Sequence, residues 1–124
     1  MKKAYYDNQA ECIIVEFSGS PELEIFKQVA DSIVDELEKN KTSKVLNNVS
    51  GLTMNTIENQ EWTQNDWFPR AEKAGLKYYA FILADDVFGQ VSAEQTNEKA
   101  DEEGNIKIEY FDSKEKAVAW LAEQ

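Results

Sequence analysis

Histidine is absent from the sequence, cysteine occurs once and proline twice. The missing imidazole removes the side chain most used as a general base near neutral pH, and also the commonest metal ligand. A catalytic scheme would have to rest on carboxylates, on amines such as Lys73, or on Cys12. Few hydrolase or transferase mechanisms survive that restriction. A lone Cys12 excludes a disulfide framework and a zinc-binding thiolate cluster. Positive charge is also scarce, with 13 Lys and Arg against 24 Asp and Glu for a formal net charge of −11. Nucleic-acid binding depends on neutralising phosphates, so this balance argues against DNA and RNA, and anionic membrane surfaces repel it too. A basic protein partner would be attracted, while a solubilising surface explains the same charge. No stretch approaches the roughly 20 apolar residues that cross a bilayer. The opening residues Met1 to Asp7 lack the apolar run of a signal peptide. These absences lead us to expect a bacterial or otherwise reducing cytoplasm, with no cofactor and no metal.

What is present fits one α/β domain over residues 1–124. Apolar residues make up 42% of the chain, and a domain of this length buries enough surface to fold without cross-links. Residues 3–7 and 11–17 read as strands around the turn Asp7-Asn8-Gln9-Ala10. Cys12 to Phe17 is apolar at nearly every position, as a strand covered on both faces must be. Ser20 and Pro21 suit the cap and first position of a helix running to about Lys39. Its apolar stripe is Phe26, Val29, Ala30, Ile33, Val34 and Leu37. Lys44 to Val49 is a short strand ended by Ser50-Gly51. A helical region from Thr56 to Ala74 follows, with Gly75 as its stop. Pro69 lies inside it and predicts a kink, or two helices meeting near Asn65-Asp66 with Asp66 as a cap.

Lys77 to Leu83 is the next strand. Asp85-Asp86 can cap a helix beginning at Val87, and Phe88 to Lys99 is weakly amphipathic. Residues 101–105 form an acidic turn. Ile106 to Phe111 alternates like an edge strand. Asp112 and Glu115 read as a capping box for a last helix that buries Ala117, Val118 and Leu121, with Trp120 at its margin. The order is β-β-α-β-α-β-α-β-α, which predicts a mostly parallel, mixed sheet of five strands with about four helices.

That order is joined by three distinctive segments. The first is Lys44 to Leu52, an apolar strand ending in amides. The second is Trp62-x4-Trp67-Phe68-Pro69-x4-Ala74-Gly75-Leu76-Lys77-Tyr78-Tyr79-Ala80. The third is Tyr110-Phe111-Asp112-Ser113-x3-Ala117-x2-Trp120-Leu121. Together they resemble the STAS-type fold and, within it, the SpoIIAA-like branch of small stand-alone bacterial proteins. The resemblance implies a non-enzymatic regulatory or binding module that acts through a protein partner or a small ligand. In phosphorylation-regulated members the acceptor is a Ser opening the second helix. The matching position here falls near Ile57 or Glu58, which cannot accept a phosphoryl group, and Thr53 and Thr56 nearby carry no matching motif. The wider superfamily is similar to CRAL-TRIO lipid-transfer domains. That implies an alternative, a carrier of lipid or another small apolar ligand, with a cavity lined by Trp67, Phe68, Tyr79 and Phe81.

Asn47 and Asn48 interrupt an otherwise apolar strand at its carboxyl end, where crevices in open α/β sheets lie. With Ser50 they either form part of a site or simply bond the following turn. Trp62, Trp67 and Phe68 bring aromatic area to the same place, as core or as binding surface, and an exposed patch there would favour a partner or a homodimer. Trp62 and Trp67 are five residues apart, so a straight helix would not put them on one face. Asp85, with Asp86 and Asp112, is a candidate carboxylate cluster or a set of helix caps. Arg70 and Lys73 could hold an anion or be solvated.

Overall fold

Each strand of the sheet lies beside its neighbour in the chain. The computed structural model describes residues 2–87, 89 and 106–124. Five strands, β1 (Tyr5–Asp7), β2 (Cys12–Gly19), β3 (Lys44–Leu52), β4 (Tyr78–Ile82) and β5 (Lys107–Phe111), form one sheet in that order. β1 runs antiparallel to β2, and the remaining pairs are parallel. The expected α/β class and mixed five-stranded sheet are therefore present. The expected helix over Phe88 to Lys99 and the acidic turn at 101–105 lie outside the described residues.

The β1–β2 turn is made by Asp7, whose Oδ1 accepts the amides of Gln9 and Ala10 at 2.8 and 3.1 Å. From β2 to β4 the chain steps across the sheet in one direction. Right-handed crossovers then place both connections on one face. The first connection is α1 (Leu23–Asn40). The second is α2 (Ile57–Trp62), a π-helical turn (Thr63–Trp67) and α3 (Phe68–Lys73) in continuous succession. The helix after β5, α4 (Lys114–Ala122), covers the other face.

α1 buries the expected stripe from Phe26 to Leu37, but its start differs from the sequence reading. Glu22 is the cap residue and makes no side-chain bond. The Ser20 hydroxyl is taken by Thr53, 2.8 Å away across the ends of β2 and β3. Pro21 therefore precedes the helix, and its carbonyl accepts a bond from Asn59 Nδ2 at 3.1 Å. β3 also runs past its expected end. Beyond a register shift at Glu16/Ser18, β2 still pairs Ser18 with Gly51 and Gly19 with Leu52. A Cβ at Gly51 would stand 3.4 Å from Ser18 Cβ, so the missing side chain lets the two strands stay close.

α2 and α3 meet across Asn65-Asp66 without a break in the helix, and Asp66 does not cap the second piece. The Phe68 amide donates to the Thr63 carbonyl, five residues back, so the helix absorbs one extra residue as a π turn. Pro69 sits in the first turn of α3, where its missing N–H is tolerated. Asp66 bonds Arg70 and caps nothing. Gly75, at φ 112°, ends α3 as expected. Its amide donates to Glu72 at 3.1 Å and that of Leu76 to Ala71 at 3.0 Å, the Schellman pattern. In α4 the cap is Ser113, one residue later than the expected box, and Asp112 instead pairs with Lys116 at 3.0 Å.

Candidate functional site

β3 alternates its side chains between two cores, and that alternation builds the site. Val45, Asn47 and Val49 face α1, while Leu46 faces α4. Asn47 is only 4% exposed. Register places it beside Val15 on β2 and Phe81 on β4. Its Nδ2 donates to the Tyr79 hydroxyl at 2.9 Å, and its Oδ1 has no hydrogen-bond partner among the described residues. Burial holds the Tyr79 phenol protonated well above the usual tyrosine range, an effect the Asn47 bond partly offsets.

Above this pair lies a cleft of about 210 Å³. Phe17, Asn47, Tyr79 and Phe81 form its floor, and Phe26, Ala30 and Ile33 of α1 form one wall. The π turn and the start of α3 supply the opposite wall through Thr63, Gln64, Trp67 and Phe68. Leu52, Asn55 and Gln60 stand at the rim. Among the described residues no carboxylate, amine, guanidinium or thiol lines the cleft. Trp67 is 1% exposed, and its indole N–H donates to the Ala30 carbonyl at 2.7 Å, which fixes the wall to α1. At the mouth, the amides of Thr53 and Met54 both donate to Gly19, tying the ends of β2 and β3 together.

The structure thus brings together Asn47, Trp67 and Phe68 with Tyr79 and Phe81, and it separates the other candidates. Asn48 points to the opposite face, into a hollow shared with Ile14, Leu46 and Ile82. Its Oδ1 accepts from the Ser50 amide and hydroxyl at 3.0 and 2.6 Å, so both residues are spent on their own strand end. Trp62 packs edge-on against Phe26 outside the cleft, with Lys27 Nζ and Arg70 Cζ 5.8 and 5.7 Å from its ring. The chain is already helical at Asp85, so this exposed residue lies in a first turn and lines none of the cleft. Among the described residues no three acidic or thiol groups gather as a metal site. Arg70 is held by Asp31 and Asp66 at 2.7 and 2.9 Å, and those bonds raise its pKa, Asp31 foremost. Its charge is therefore already matched.

The sequence reading missed Asn59, which is fully buried and ties α2 to Pro21 through Nδ2 while its Oδ1 has no partner among the described residues. It also read Phe17 and Phe26 only as strand and core, although both line the cleft and their rings meet at 4.9 Å. An amide on the buried face of an amphipathic helix was the available signal for Asn59. No known family model matches the chain, and no curated protein matches it.

Proposed function

We propose that this chain is a non-catalytic, STAS-like binding module whose working site is the cleft over Asn47 and whose ligand is small. One observation carries the reading. A buried amide with an unused acceptor stands at the base of a mainly apolar hollow, and such an acceptor costs about 1–3 kcal/mol until something donates to it. Ligand sites have this character, apolar walls with a few fixed polar groups. A cleft whose one titratable lining group among the described residues is a phenol held protonated offers little acid–base chemistry. The STAS-like assignment is supported by the helices between parallel strands, the leading antiparallel strand and the closing helix after β5.

The test is an amide-resolved NMR screen with small neutral compounds at about 1 mM, the scale of weak ligands. Shifts should concentrate at Asn47, Thr63 and Trp67. A screen that leaves those resonances unmoved, or turnover that disappears when Asp85 or Asp112 is replaced, would overturn the proposal.

The lipid-carrier alternative has to fit its cargo into the same space. A dry cavity near 150 Å³ accepts benzene, so about 210 Å³ suits a one-ring molecule better than a long acyl chain. Native mass spectrometry showing a co-purified lipid would reverse that preference. A partner-docking reading is favoured by Met54 on the loop beside the cleft and Ile57 at the start of α2, 58% and 72% exposed. Sedimentation across a wide concentration range tests whether that partner is a second copy.

A further inference from the structure

We infer that the cleft selects an uncharged single-ring aromatic carrying a hydroxyl or N–H group, whose proton goes to Asn47 Oδ1. The inference rests on the cleft being a binding site, and three features of the site narrow the ligand.

Charge is the first. Among the described residues the lining holds no ionised group of either sign. An ion buried there would lose its hydration and gain no counter-charge, a penalty that excludes carboxylates, phosphates and ammonium ions.

The head group is the second. Asn47 gives one of its two amide N–H groups to Tyr79 and keeps its acceptor. A phenol that accepts still has a proton to give. The pair therefore presents an acceptor beside a donor, which matches a ligand hydroxyl able to do both. A hydrocarbon seated over Asn47 would leave the buried acceptor unpaired, as it already is, whereas a hydroxyl would satisfy it, so the site favours the analogue that carries the group.

The body is the third. Tyr79 and Phe81 stack at 4.3 Å and 27°, and Tyr110 continues the row from Phe81 at 5.7 Å and 24°. Trp67 and Phe68 stand nearly perpendicular to each other, at 5.1 Å and 75°. A ring placed among them meets both faces and edges, which aromatic pairs prefer and a saturated ring cannot reciprocate. The volume leaves room for one ring and a substituent.

Four probes of similar size separate these features: p-cresol, toluene, cyclohexanol and benzoate, each titrated at neutral pH while the Asn47 side-chain amide and the Trp67 indole are followed by NMR. p-Cresol should bind most tightly and move both signals. Toluene should bind about tenfold more weakly, the worth of one hydrogen bond, and leave the Asn47 signal nearly still. Cyclohexanol should fall below p-cresol, and benzoate should not bind. In Asn47→Leu the preference for p-cresol over toluene should vanish. The Asn47 signal in the unaltered protein gives the same answer should that variant not fold. Toluene or cyclohexanol equalling p-cresol, or benzoate binding at the Trp67 indole, overturns the ligand class while the cleft reading stands. Silence from all four probes at both signals overturns the class and the cleft reading together.

Discussion

Cys12 is fully buried on the α4 side of β2. Burial, with Asp7 adding to it against Lys114 and Lys44, pushes its thiol up to about 11 from an ordinary value of 9.0. The folded chain holds this proton more tightly than the unfolded chain does. The contribution is therefore complete below pH 9 and fades as pH rises toward 11, by about 1.4 kcal/mol per pH unit. Urea midpoints should show the stability gap between the native sequence and Cys12→Ala narrowing by roughly 2–3 kcal/mol over that interval. A constant gap would contradict it. The unfavourable placing of this thiol for chemistry was readable from its apolar strand neighbours. Asn47 was readable only in part. Its position at a strand end marked it out, but adjacent residues of a strand point to opposite faces, so Asn47 and Asn48 could not share one site. The bond to Tyr79 crosses 32 positions of sequence, and no local pattern announces it.

At the scale of elements, the π turn is the device that makes the cleft wall. Trp62 and Trp67 would diverge on a regular helix, yet one extra residue lets Trp62 reach Phe26 while Trp67 reaches the Ala30 carbonyl. Inserting an alanine beside exposed Asn65 should add a residue the π turn cannot absorb and swing Trp67 by about 100°. The expected readouts are red-shifted tryptophan emission and a loss of about 3 kcal/mol or more, the usual cost of emptying a large buried aromatic site. Unchanged emission would show that the wall does not depend on the turn. Sequence periodicity placed α1, β2 and the Gly75 stop well, because each follows from a local rule of spacing or φ. It did not find the π turn, since a single inserted residue reads equally as a break. The caps at Glu22 and Ser113 shifted for a related reason. Ser20 had a partner 33 residues away, and Asp112 had a lysine one turn on.

For the whole molecule, the excess of 24 acidic over 13 basic residues opposes compaction. Ion pairs such as Asp31–Arg70 and Asp112–Lys116 are only partly buried and offset little of it. Raising ionic strength from about 0.01 to 0.5 M should therefore raise the urea midpoint, by about 1 kcal/mol in stability. A fall would mean that attraction among these pairs outweighs the repulsion. The two cores are unequally served. The face over β2 to β4 is covered by α1 and by the α2–α3 segment, whereas Leu46, Ala80 and Ile82 on the other face depend on Ala117 and Leu121 of α4. Because each strand docks beside the one synthesised just before it, a ribosome delivers the sheet from one edge to the other, with no gap left for a late insertion. The residues of α4 that seal the second face follow all five strands out of the exit tunnel. Until they do, the growing polypeptide displays an uncovered aliphatic surface, the kind that holdase chaperones grasp, and a chain shortened at Ser113 would keep that surface permanently.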